Sequence, residues 1–127
     1  MTGQVVHFEI PADDLARAQA FYREAFGWRI NEIPDMNYTI VSTTETDETG
    51  AARTPGAING GMMARQGAIT APVITIDTED IDATLRAVEK LGGAVTLPKM
   101  AVGEMGFAAY FTDTEGNVVG LWENAAQ

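Results

Sequence analysis

One pattern occurs twice along this chain. Val6-His7-Phe8-Glu9-Ile10, followed by Asp14-Leu15 and a helical pattern ending at Gly27, recurs as Pro72-Val73-Ile74-Thr75-Ile76, followed by Asp80-Ile81 and a helical pattern ending at Gly93. A repeat longer than about 50 residues, with a strand and a helix in each copy, predicts two similar half-sheets rather than a solenoid of short units. A functional site is then expected where the halves meet.

The chain has 127 residues, of which 46% are hydrophobic, enough for one compact domain over residues 1–127. Its modules are expected at about 4–65 and 70–124. No apolar run approaches the ~18 residues that span a bilayer, and no basic-then-apolar leader precedes the first strand, so a cytoplasmic protein without membrane contact is expected. Having no cysteine, the chain cannot use disulfides, thiol catalysis or thiolate metal ligation. A formal charge of −10 repels phosphate backbones, which sets nucleic-acid binding aside.

Val5 to Ile10 reads as strand, with Pro11 ending it for want of an amide hydrogen. Asp14 suits an N-cap, and Leu15, Ala18, Tyr22 and Ala25 or Phe26 recur at helical spacing as far as Gly27, so a helix is predicted to Phe26. Trp28 to Ile33 and Tyr38 to Thr43 read as strands around the turn Pro34-Asp35-Met36-Asn37, and residues 44–56 as a loop whose Glu45, Asp47 and Glu48 are solvated. Ala57 to Ala64 completes a βαβββ module. In the second copy, a helix carries Ile81, Leu85, Val88 and Leu91 on one face and stops at Gly92-Gly93. Ala94 to Leu97, Gly106 to Thr112 and Val118 to Glu123 are its strands, Pro98 to Gly103 a loop, and Asp113-Thr114-Glu115-Gly116-Asn117 a hairpin turn.

The opening His7 strand, Phe21-Tyr22 with Phe26-Gly27-Trp28, Asp80-Ile81-Asp82-Ala83-Thr84, and Phe111-Thr112-Asp113-Thr114-Glu115-Gly116-Asn117 together resemble the vicinal oxygen chelate superfamily of glyoxalase I, extradiol dioxygenases and bleomycin-resistance proteins. Ile58-Asn59-Gly60-Gly61, Pro98-Lys99-Met100 and Gly106-Phe107-Ala108-Ala109-Tyr110-Phe111 further resemble a bacterial group described as related to lactoylglutathione lyase. The resemblance implies an α+β fold in which two tandem βαβββ modules form a curved mixed sheet with a central cavity. In metal-using members each module gives one ligand from its first strand and one from its last. His7 matches the first of these. The other positions hold Val73, Gly120, and Gly60 or Gly61, none with a side chain able to donate an electron pair, so neither a bound metal nor another cofactor is expected.

Alternation on the first strand sends Val6, Phe8 and Ile10 to the helix, and His7 and Glu9 to the concave face. The same rule gives that face Thr75, Gly120 and Trp122, along with Gly60 or Gly61 and Met62. With Tyr38 and Tyr110, these are the candidate ligand contacts. Every candidate has a second reading. His7 and Glu9 suit proton transfer, yet a strand histidine is also an ordinary hydrogen-bonded interior residue, and Glu9 also suits solvent. Trp122 serves equally to stack on a planar ligand or to fill a core, and strand propensity accounts for the tyrosines. Met62-Met63 also reads as packing, and Gly60-Gly61 as a β-bulge. The expected function is metal-independent binding or sequestration of a small molecule. The alternative is a glyoxalase-like lyase or isomerase using His7 and Glu9. A homodimer is expected, because paired modules commonly complete such cavities and open sheet edges seek partners.

Overall fold

A computed structural model describes residues 3–34, 37–48 and 52–125. Its elements run β1 (Val5–Ala12), α1 (Leu15–Phe26), β2 (Arg29–Ile33), β3 (Tyr38–Ser42), β4 (Gly60–Ala64), β5 (Val73–Asp77), α2 (Ile81–Lys90), β6 (Ala94–Val102), β7 (Gly106–Thr112) and β8 (Val118–Asn124). This is the expected α+β class, with βαβββ written twice. The chain divides into two compact units, the first from His7 to Pro72, the second comprising residues 3–6 and 73–125.

In the first unit the strand order is β2-β3-β4-β1. Only β1 and β4 run parallel, with Glu9 opposite Gly61 and Ile10 opposite Met62. The β3 strand runs antiparallel to β4, with Ile40 opposite Gly61. Asp14 caps α1 by accepting the Arg17 amide at 3.0 Å, which satisfies one donor that the first turn would leave orphaned. Gly27 ends the helix at φ 74°, a left-handed conformation that costs glycine little, and its amide reaches the Arg23 carbonyl at 2.9 Å. Gln19 is buried on the sheet side of α1, where its amide donates to the Thr39 hydroxyl at 3.1 Å. Ala25 and Phe26, the two residues that continue the helical spacing, are both exposed; Trp28 lies just outside β2 and stacks on Tyr22 with ring centroids 4.8 Å apart.

The second unit has the order β5-β8-β7-β6, again with one parallel pair, β5 with β8. Its core is Ile81, Leu85, Ala109 and Leu121, with Ile76, Val95, Phe107 and Phe111 packed around them. Two acceptors hold the start of α2: Asp80 takes the Ala83 amide at 3.0 Å and Glu123 takes the Ile81 amide at 2.8 Å. In the 113–117 turn, Asp113 accepts from the amides of Glu115 (2.8 Å) and Asn117 (2.9 Å). Gly116, at φ 86°, takes the left-handed position there.

Four boundaries correct the sequence reading. Pro11 does not end β1, which continues to Ala12. In a parallel pair only alternate residues of a strand bond to a given neighbour, so a missing donor at Pro11 leaves the bonding of Ala12, whose carbonyl accepts the Arg65 amide at 2.9 Å, intact. The segment expected as a loop at Pro98 to Gly103 is largely strand: β6 runs through Pro98 to Val102 with register shifts between Val95 and Leu97 and between Leu97 and Met100. As the last strand in its unit's order, β6 tolerates a proline beside such irregularities. The last strand of the first module starts at Gly60 rather than Ala57. Leu91 is not on the buried face of α2; it is 77% exposed, beyond the helix end at Lys90. Asp35 and Met36 of the predicted turn, and residues 49–51 of the predicted loop, lie outside the described residues.

Leu85→Ala is therefore expected to cost about 2–5 kcal/mol of stability. Leu91→Ala should stay within about 0.5 kcal/mol of the parent. Parallel urea titrations of the two variants measure the contrast.

Candidate functional site

His7, Glu9 and Tyr38 come together in the first unit. Alternation puts His7 and Glu9 on one face of β1, and the register of β4 and β3 brings Gly61 and then Tyr38 and Ile40 onto that face. The Tyr38 hydroxyl donates to Glu9 Oε2 at 2.8 Å and lies 2.8 Å from His7 Nε2. The His7 and Tyr38 rings are nearly parallel, with centroids 6.4 Å apart. Glu9 is 7% exposed, so of its two readings the solvent-facing one is excluded.

Gly61 makes this arrangement possible. A Cβ built there would overlap the Tyr38 hydroxyl and ring carbon Cζ, so the phenol occupies the space a side chain at residue 61 would need. Gly60 and Met62, expected on this face, lie on the other. The added Cβ of Gly60 would meet Phe8, and Met62 is fully buried next to Thr39, which faces Gln19 of α1. The cause is the register: Glu9 pairs with Gly61, so Gly61 and Met63 share its face, while Gly60 and Met62 share that of Phe8 and Ile10.

Burial holds the His7 imidazole below its ordinary pKa, and this outweighs the Glu9 carboxylate, which pulls the value upward. A buried ring in a low-dielectric setting resists charging more than one partly shared carboxylate can compensate.

Thr75, Tyr110 and Gly120 form a second group, within the second unit. Thr75 and Tyr110 both pair with Gly120, and a Cβ on Gly120 would lie 2.9 Å from Thr75 Oγ1 and 3.5 Å from Tyr110 Cε2. Trp122 follows on the same face by alternation, covering Gly106 and donating from Nε1 to Asn124 Oδ1 at 2.8 Å. Glu123 points the other way, to the start of α2, where it also receives Lys99 Nζ at 3.3 Å.

The two groups are built alike. In each unit a polar residue of the first strand stands opposite a glycine of the last, Glu9 by Gly61 and Thr75 by Gly120, with a tyrosine of the third strand beside it. Sequence reading named Tyr38 as a ligand contact but missed its position between His7 and Glu9. The available signal was the double glycine, which marks a close approach without saying what approaches.

The metal-ligand set implied by the fold family does not fit these residues. His7 and Glu9 are bridged through a phenol, and the matching positions are Val73, Gly61 and Gly120. Among the described residues no group of three or more His, Asp or Glu side chains is placed to hold a metal ion. No helix among them is long and apolar enough to cross a membrane.

Comparison with known proteins gives three kinds of match. Residues 4–44 match a family model described as bleomycin resistance protein-like N-terminal. Lactoylglutathione lyase of Haemophilus influenzae is 30% identical over 125 residues, covering 95% of this chain and 93% of that one. The putative glyoxylase CFP32 of Mycobacterium tuberculosis is 31% identical over 117 residues, and the chain spans only 43% of its length. Among solved structures, a Streptomyces coelicolor methylmalonyl-CoA epimerase superposes with TM-score 0.69 at 18% identity, covering 99% of this chain and all of that one, which speaks to fold alone.

Because the folded state holds His7 below its unfolded value of about 6.5, the unfolded chain binds the proton more readily, so stability rises with pH in that range. The contribution is fully present above about pH 6.5 and is lost as pH falls through and below it. Wild-type protein should lose stability between pH 7.5 and 5.5 that His7→Gln does not lose, measured by urea denaturation at each pH.

Proposed function

This chain belongs to the vicinal oxygen chelate superfamily, and we propose that within it the protein binds a small molecule without the help of a metal ion. One observation carries the reading: the single imidazole at a family ligand position is tied to Glu9 through Tyr38, while the corresponding positions hold Val73, Gly61 and Gly120. What remains is the chemistry of a recognition surface rather than a chelate. The first unit offers an uncharged imidazole held by a phenol and, behind it, a buried carboxylate. The second offers the Thr75 hydroxyl and the Tyr110 ring, packed together over the glycine at 120, and the Trp122 indole. Apolar surface with a few fixed polar groups suits a small organic ligand. The −10 charge steers cations toward the protein and anions away.

A second reading is favoured by the hydrogen-bonded chain itself. Likeness to a lactoylglutathione lyase supports a glyoxalase-like lyase or isomerase, in which His7 takes a proton and Glu9, through Tyr38, steadies the resulting imidazolium. Under that reading, His7→Ala and Glu9→Gln should each abolish turnover with the fold intact by circular dichroism.

We take the working form to be a cytoplasmic homodimer. Leu97 and Met100 are each 41% exposed on β6, the last strand in its unit's order, and would be covered by a second copy. Light scattering on the eluted peak should give twice the mass of 13.6 kDa.

Protein incubated with zinc, nickel, manganese and iron and then desalted should retain less than a tenth of an equivalent of any of them. Roughly one equivalent of metal, absent from His7→Ala, would overturn the metal-free reading. Ligand screening in excess chelator should then find compounds that quench tryptophan emission in the parent but not in Trp122→Phe. Trp28 remains in that variant as an internal reference, packed on Tyr22 in the other unit.

A further inference from the structure

A neutral histidine carries one ring proton, on Nδ1 or on Nε2, and its neighbours decide which. The Tyr38 hydroxyl has a single proton of its own, and the Glu9 carboxylate takes it at 2.8 Å. The hydroxyl oxygen therefore turns a lone pair to His7 Nε2, also at 2.8 Å. Two lone pairs cannot share a contact that short, so the proton between them belongs to Nε2.

We infer that Tyr38 is a positioning residue that locks His7 in its Nε2–H tautomer, with Nδ1 as the ring nitrogen that accepts from a bound molecule. The lock has three parts: Glu9 sets the direction of the hydroxyl, Tyr38 passes that direction to the ring, and Gly61 supplies the space in which the hydroxyl sits. Its consequence for the ligand, which rests on the binding role proposed above, is a preference of sign. An N–H or O–H donor completes Nδ1, whereas a carboxylate or phosphate oxygen would face it lone pair to lone pair. Tyr38 thus acts through His7 rather than on the ligand.

His7 is the chain's single histidine, so long-range proton–nitrogen correlation spectra of labelled, ligand-free protein read this ring alone. At pH 7.5 the wild type should show Nε2 with a protonated-type shift, Nδ1 with an unprotonated-type shift, and an Nε2–H proton that exchanges slowly enough to observe. Tyr38→Phe keeps the ring over Gly61 and removes the oxygen. It should lose the Nε2–H signal and move both nitrogen shifts toward the averaged values of a ring exchanging between tautomers. Gly61→Ala, by displacing the hydroxyl, should reproduce that spectrum. A protonated-type Nδ1 in the wild type, or unchanged shifts in folded Tyr38→Phe, would overturn the lock. Should either variant fail to fold, the wild-type spectrum still decides on which nitrogen the proton sits. A protein that bound no ligand would defeat the proposed function and leave these spectra unaltered, so the two failures are read apart.

Discussion

The parallel register of β1 on β4, with Glu9 opposite Gly61, is the constraint on which the first unit's site depends. Side chains alternate faces along a strand, so a slip of one residue would exchange every face assignment. Glu9 would then stand beside Gly60 or Met62, and the space that admits the Tyr38 hydroxyl would open toward Phe8. The buried carboxylate would lose the Tyr38 hydroxyl as a donor, and a buried charge that loses a hydrogen bond is destabilised. Register and hydrogen-bonded chain therefore support each other. The pairing places the three side chains, and the cost of taking the Tyr38 donor from Glu9 penalises the alternative pairings.

Comparing the two units shows what duplication has kept. The scaffold is common to both: a capped helix, one parallel pair, a glycine of the last strand opposite the fourth residue of the shared motif, and a third-strand tyrosine at that glycine. The side chains on the scaffold have diverged. Where the first unit has His7 and Glu9, the second has Val73 and Thr75, exchanging an ionisable pair for an apolar and a neutral polar residue. Thr75 is buried too, but it carries no charge, so its burial costs less than that of an ionised residue. The first unit keeps the chemistry that responds to protons, and the second keeps shape and aromatic surface.

Local grammar was the legible part of the sequence. Asp14, Asp80 and Gly27 act at short range and landed where capping rules put them, and the strand from Gly106 to Thr112 has the bounds its pattern gives. Errors arose where a rule about single residues met a tertiary circumstance. Proline ends a strand only if its missing donor was needed, and neither Pro11 nor Pro98 sits where it was. Leu91 fits the helical period of α2, but the helix stops before it. At the site, alternation correctly paired His7 with Glu9. Along Gly60-Gly61-Met62-Met63 the same period leaves the phase open, because adjacent residues of similar kind give no sign of which faces which way. The phase is set by pairing with β1, a long-range fact. The meeting of Tyr38 with residues on another strand is hidden for the same reason.

The same chain explains why a carboxylate two residues from His7 does not leave it charged. Glu9 attracts a proton to the ring, but burial raises the cost of the imidazolium by more. The phenol changes how the attraction is delivered. With the hydroxyl 2.8 Å from each partner, the carboxylate is satisfied by the Tyr38 proton instead of by a proton on the imidazole. Glu9 then directs the hydroxyl, and through it the ring, without forming an ion pair. An ion pair at this place would carry charge separation into a buried setting, where it is a poor source of stability. The relay through Tyr38 instead keeps the only formal charge on Glu9 and leaves His7 neutral but oriented. The direction of the donors and acceptors in this group of three side chains therefore originates at one carboxylate.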